Sequence, residues 1–344
     1  MKAQVFHGPG DLRLEDLPDP EPGAGEAVLR VEAALTCGTD VKVRRRGHPV
    51  MIPRVPTPFG HELAGVVVAI GPGVRGLREG DRVAVANSAP CGACGPCRGG
   101  RANLCEDLLF VNGAYAERIL LPPRLVERNA VVIEAALPAA RAAMAEPLAC
   151  ALHGIARGRV EAGMAVVIIG HGPLGWLLAM GARQAGARPI LVGKPGWRLD
   201  RARAAGVGEI VEASTPAATL EAIRGLTGGR GADVAIDATG RPEVWEQAID
   251  CTARGGTVVL FGGCAPGTTV AVDTRRAHYE ELALVGAFHH TPALIRRALE
   301  LLAAGAIDTD SLVTGVVGLA GVPGALDAMA EGRALKVQVD PRRH

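Results

Sequence analysis

Along residues 1 to about 90, apolar positions come in short runs broken by glycine and proline. Residues 26–33 alternate charged and apolar side chains over part of their length. Residues 63–70 are almost continuously apolar, and residues 80–85 follow a turn. Alternation and short apolar runs of this length are strand patterns, and their spacing predicts an all-β, barrel-like unit. From about residue 148 the pattern changes. Residues 165–169 are wholly apolar, a glycine-rich turn follows at once, and residues 176–184 continue as an apolar helix. Further strands are predicted at 189–192, 209–211, 233–237, 257–261 and 282–285, with helical stretches between most of them. That succession is an α/β, doubly wound parallel sheet of about six strands. After residue 289, a helix is predicted over 292–304, with Ile295, Leu299 and Leu302 on one face. A second helix (322–329) and a closing strand (335–339) follow. This tail is too short to be a domain and is expected to pack back onto the first. The expected organisation is residues 1–147 with 289–344, and a separate domain over 148–288.

Composition narrows the classes. A chain of 344 residues suits two domains. A formal net charge of +1 gives no electrostatic reason to expect nucleic acid or an anionic membrane as partner. The N-terminus has no apolar run or cleavage site of a secretion signal. The longest apolar region, 165–181, is interrupted by Gly170-His171-Gly172-Pro173 and reads as strand, turn and helix rather than a membrane span. With eight cysteines and no secretion signal, metal ligation is expected before disulfides, and the cytoplasm is the expected compartment. Lysine is confined to Lys2, Lys42, Lys194 and Lys336 among 37 basic residues, so each interior lysine is worth tracing.

Three stretches carry candidate chemistry. Cys37-Gly38-Thr39-Asp40, Gly60-His61-Glu62 and Glu146-Pro147-Leu148 could bring one thiolate, one imidazole and one or two carboxylates to a single ion, a donor set that zinc accepts. Cys91, Cys94, Cys97 and Cys105 lie within fifteen positions, with glycine and proline between them, and can wrap a tetrahedral four-cysteine zinc. That site would have no open position and would be structural, stapling a lobe at about 90–106 too short for a core of its own. Gly170-x-Gly172-x-x-Gly175, between a strand and a helix, is a dinucleotide-binding pattern, and Pro173 and Leu174 within it are candidate cofactor residues too. Gly170 allows the tight turn, Gly172 lets backbone N–H groups approach a pyrophosphate, and Gly175 lets helix and strand pack closely. An NAD site usually has an acid at the end of the next strand to accept the ribose 2′-hydroxyl. Here Gly193 takes that place, with Lys194 beside it and Arg198 close behind. That favours NADP(H); NAD(H) stays open, with both cations as solvated surface charges. Thr239 and Phe261 are further candidate cofactor residues.

Taken in this order, these motifs resemble the zinc-containing medium-chain dehydrogenase/reductase family, in its polyol and sugar dehydrogenase branch (sorbitol- and threonine-dehydrogenase-like), along essentially the whole chain. The resemblance implies a GroES-like β-barrel catalytic domain and a Rossmann cofactor domain. It implies a catalytic zinc held by Cys37, His61 and Glu62, with Glu146 as a fourth ligand or a partner of the zinc-bound water. Thr39 would take the proton, and Asp40 would orient His61. The glutamate at 146, where alcohol dehydrogenases carry a cysteine, points to the polyol branch. Lys42 stands where those enzymes carry a relay histidine and is open between a ribose contact and a solvated charge. Lys336 matches a basic residue that contacts the cofactor pyrophosphate. Tyr115, His289 and His290 are the candidate substrate residues, the histidines open between sugar contacts and a helix cap or surface position. The implied activity is reversible oxidation of a polyol-type secondary alcohol to its ketone, with two zinc ions per chain in a homodimer or homotetramer. The alternatives are an amino alcohol or simple alcohol as substrate, or a non-catalytic NADP(H)-binding zinc protein.

Overall fold

The computed structural model describes residues 1–343 and divides into two compact units, Met1–Glu146 with His290–His344, and Pro147–His289. The first unit is built on a seven-stranded, largely antiparallel sheet. Its central strands are β1 (Ala27–Leu35) and β2 (Glu62–Ile70), flanked by β3 (Arg82–Val85) on one side and the closing strand Lys336–Val339 on the other. Phe6, Phe59 and Tyr115 are buried here, with Phe6 stacked on Phe59 at 5.4 Å, so Phe59 is a core residue.

Register explains how distant motifs meet. Leu35, the last residue of β1, pairs with Glu62 at the start of β2 on one side and with Gln338 of the closing strand on the other. Cys37, two residues past β1, therefore falls beside His61 and Glu62, and Lys336 enters from the opposite flank. Cys37 also caps a helix, α1 (Gly38–Arg46), whose polar sequence gave no helical stripe. Cys37 itself is extended, between the end of β1 and the first turn of this helix. The helix is specified by its cap: Cys37 Sγ accepts from Thr39 N–H, and Asp40 Oδ2 accepts from Cys37 N–H. Arg44, Arg45 and Arg46 in its last turn complement the helix dipole.

The second unit holds one all-parallel sheet of six strands: β4 (Ala165–Ile169), β5 (Arg188–Gly193), β6 (Glu209–Glu212), β7 (Ala232–Asp237), β8 (Thr252–Leu260) and β9 (Ala283–Gly286). Their order is β6-β5-β4-β7-β8-β9, the doubly wound arrangement. The central strand β4 is buried along its full length, as expected for a parallel strand covered on both faces. No helix among the described residues is long and apolar enough to cross a membrane.

Candidate active site and metal centres

The ligand atoms of Cys37, His61 and Glu62 all lie within 4.8 Å of one another, and all three residues are buried. A thiol, an imidazole and a carboxylate converging at this spacing fit zinc. Asp40 holds the arrangement together. One carboxylate oxygen faces His61 Nδ1 at 2.9 Å; the other accepts from Cys37 N–H at 3.0 Å and from the Tyr115 hydroxyl at 2.5 Å. With Nδ1–H donating to Asp40, the imidazole presents Nε2 as its ligand atom. Burial pushes the His61 pKa down, but the Asp40 carboxylate and the Cys37 sulfur outweigh it, and the ring is held well above its ordinary value. A metal at Nε2 would take the place of that proton. Thr39, half-buried at the second position of α1, sits beside Cys37 with its backbone N–H on the sulfur. Lys42 is exposed one turn further on. Asp40→Asn is expected to weaken metal binding about 10–100-fold, because the histidine loses the charge that orients it. Competition with a chelator of known affinity checks this.

Two expected contacts are corrected, at Lys336 and Tyr115, and the helix-cap alternative for His290 is removed. Lys336 is not placed for a pyrophosphate: it is buried to 1% exposure, and its ammonium donates to Thr36 O at 3.0 Å and to Glu62 Oε2 in a close ion pair. Burial opposes its charge, but Glu62, Cys37 and Glu146 outweigh burial, so it stays cationic. Burial also pushes the Glu62 carboxyl up against the pull of Lys336. We read the pair as ionised, since the lysine answers to three anionic groups. Tyr115 is fully buried and does not wall a substrate pocket: its hydroxyl is committed to Asp40 and to Leu35 O at 3.2 Å. Burial, then Asp40, raises its pKa well above the ordinary value, so it stays a neutral donor. His290 is buried rather than capping: its Nε2 lies 3.3 Å from Asn87 Oδ1 and 3.7 Å from Glu146 Oε1, while Thr291 caps the helix Pro292–Ala303. Glu146 is outside the converging trio. His289 is half-buried in a left-handed conformation (φ 61°), beside the exposed Phe288 ring.

Cys91, Cys94, Cys97 and Cys105 form a second group whose sulfurs lie within 4.8 Å of one another, all unoxidised. Cys94 Sγ and Cys105 Sγ are 3.8 Å apart. Two sulfurs on a tetrahedral zinc at about 2.3 Å each should be separated by about 3.8 Å. The N–H groups of Ala93 and Cys94 point at Cys91 Sγ and pull its pKa to about 6, stabilising the thiolate that a metal needs.

In the second unit, the turn Gly170–Gly175 leads into α2 (Pro173–Gln184). Gly170 has φ 126°, and any side chain at Gly175 would fall 1.7 Å from Gly170 O, so helix and turn touch backbone to backbone. Nothing approaches within 4 Å of where a Cβ at Gly172 would be, which leaves the open space a pyrophosphate needs. Thr239 spends its hydroxyl on Asp237 at 2.6 Å, and the Phe261 ring lies against Gly154.

Known proteins share both halves of this arrangement. Residues 23–129 match the alcohol dehydrogenase GroES-like domain, and residues 173–304 match the zinc-binding dehydrogenase family. The chain is 31% identical to a sorbitol dehydrogenase of Bacillus subtilis, over all of this chain and 98% of that one. It is 32% identical to a 2-dehydro-3-deoxy-L-galactonate 5-dehydrogenase of Pseudoalteromonas atlantica, over 90% and 89%. A zinc-binding dehydrogenase of Sinorhizobium meliloti, solved bound to NADP, superposes with a TM-score of 0.89 at 33% identity, over 99% of both chains. The chain belongs to the zinc-containing alcohol and polyol dehydrogenase family. This dehydrogenase is an oxidoreductase that uses zinc and a nicotinamide cofactor.

Two residues of the dehydrogenase escaped the sequence reading. Asn87 is buried and faces His290 from 203 positions away, which no local pattern signals. His171 stands between the first two glycines of the turn and packs over Gly193. A histidine within the turn, paired with a glycine where an acid is usual, was the available signal.

Proposed function

We propose that this enzyme interconverts a polyol-type secondary alcohol and its ketone, with NADP(H) as the preferred hydride carrier. Two zinc ions per chain would serve it, one catalytic and one structural. The observation that carries the reading is the convergence of Cys37, His61 and Glu62, with His61 locked by Asp40. A zinc ion held there would supply Lewis acidity, favouring the deprotonated alcohol near neutral pH. The protein's own groups do the rest. Asp40 fixes the imidazole and is itself fixed by Tyr115, so the ligand cage is set before substrate arrives. Thr39 accepts the substrate's proton and passes it toward solvent. Lys336 cancels one of the two negative charges that Cys37 and Glu62 bring, which keeps the centre electrophilic. Glu146, which lies near His290, would bind the metal's water or a substrate hydroxyl. The four-cysteine group would take the structural zinc. The polyol class is supported by the relatives that carry sorbitol and sugar-acid dehydrogenase names and by glutamate at position 146. Assembly as a homodimer or homotetramer is part of the same reading and rests on the family likeness.

The test is a spectrophotometric screen of NADP⁺ and NAD⁺ separately against sugars, polyols, cyclitols and simple alcohols. Faster reduction of NADP⁺ with one polyol class is the expected outcome. Failure of zinc-loaded, cofactor-binding protein to reduce either cofactor across the panel would overturn the reading.

A further inference from the structure

The position where an acid would mark NAD is not merely vacant of one. A Cβ at Gly193 would fall 2.2 Å from His171 Nδ1 and 2.5 Å from its Cγ. The imidazole, projecting from the Gly170–Gly175 turn, covers the last residue of β5, and no side chain fits at 193 while it stays. The charged groups that bear on this ring are Arg198, from the helix Trp197–Ala204, and Lys194, from the loop after β5. The Arg198 guanidinium lies 5.8 Å from the Trp197 ring centroid, within the range of a cation–π contact. Two permanent cations thus act on one imidazole at the end of β5, beside the open turn.

We propose that His171 is a specificity-determining residue of the cofactor site, forming with Lys194 and Arg198 the receptor for the 2′-phosphate of NADP(H) and sterically excluding the acid that NAD(H) would use. The proposal rests on the NADP(H) reading above. Its physics is a charge exchange. Among the protein's own groups, burial first, and then Arg198 and Lys194, lower the His171 pKa, so the ring is neutral near neutral pH. A phosphate dianion arriving among these groups reverses the field and raises that pKa. Binding the 2′-phosphate should therefore take up a proton, and the advantage that His171 gives NADP(H) should fade as pH rises. NADH, lacking the phosphate, should be indifferent.

The experiment is a fluorescence titration of the zinc-loaded enzyme, without substrate, with NADPH and with NADH, from about pH 6 to about pH 8.5, across the range in which imidazole titrates. The proteins are wild type, His171→Ala, His171→Gln, Gly193→Ala and the Lys194→Ala/Arg198→Ala pair. The wild type should prefer NADPH, and the preference should fall with pH. His171→Ala should reduce the preference about tenfold, equivalent to about 1.4 kcal/mol, by weakening NADPH alone. His171→Gln should lose the pH dependence beyond that of the phosphate itself. Gly193→Ala, which must displace the ring, should act like His171→Ala and add little on top of it. If the wild type shows no preference, or the Lys194/Arg198 pair can be removed without effect on NADPH, the NADP(H) reading fails. If the wild type prefers NADPH and His171→Ala either keeps the ratio or weakens both cofactors alike, the ring merely packs over Gly193 and this proposal is overturned.

Discussion

Cys37→Ala should abolish turnover while leaving both units folded. Cys37 supplies the only sulfur of its group, so a zinc there loses its softest ligand. Lewis-acid stabilisation by a metal is worth several kcal/mol, so kcat should fall by at least about a thousandfold. The same change removes the cap of α1, which costs about 1 kcal/mol and is too little to unfold a domain. Zinc content should drop from about two to about one per chain, since the four-cysteine group is untouched. NADPH binding should persist, because the dinucleotide turn belongs to the other unit. Cys37→Ser separates the effects: serine keeps the cap but is a poor zinc ligand, so it should match alanine in activity and exceed it in stability. Full activity with this site empty would contradict the assignment.

Lys336→Met should be the most destabilising single change in the catalytic unit. It leaves Glu62, with no exposed surface, without its counter-ion. Removing one partner of a buried ion pair costs about 3–5 kcal/mol. For a unit of this size that corresponds to a fall in Tm of roughly 6–20 °C. It is best measured after the catalytic site has been stripped with a chelator, so that no metal substitutes for the lysine's charge. Adding Glu62→Gln should recover most of the loss, because an uncharged pair no longer carries the desolvation cost. An unchanged Tm in the single variant would mean that Glu62 is not held by this contact.

What the sequence disclosed follows the range of the interactions. The parallel strands were legible because both faces are buried, so β4 reads as an unbroken apolar run. The four-cysteine group and the glycine turn were legible because each is closed by residues within a few positions. Helix α1 was not: Val41 to Arg46 carries three consecutive arginines, and its start is written in a cysteine cap and Asp40 rather than an apolar stripe. Tyr115 and Lys336 were misplaced for a different reason. Tyr115 reaches Asp40 across 75 positions, and Lys336 reaches Glu62 across 274. Only strand register decides such pairings, and here Leu35 lies between Glu62 and Gln338. The histidines at 289 and 290 show the same limit at close quarters. The following helix is capped by Thr291, which frees His290 to turn inward toward Asn87 and Glu146.

The central claim is that Cys37, His61 and Glu62 hold a catalytic zinc distinct from the one in the cysteine lobe. Anomalous diffraction at the zinc edge tests it most directly, on crystals of the enzyme grown without added chelator. Two peaks per chain are predicted, one among Cys91, Cys94, Cys97 and Cys105, and one about 2.0–2.3 Å from both Cys37 Sγ and His61 Nε2. A single peak, confined to the cysteine lobe in protein that still oxidises its substrate, would contradict the account.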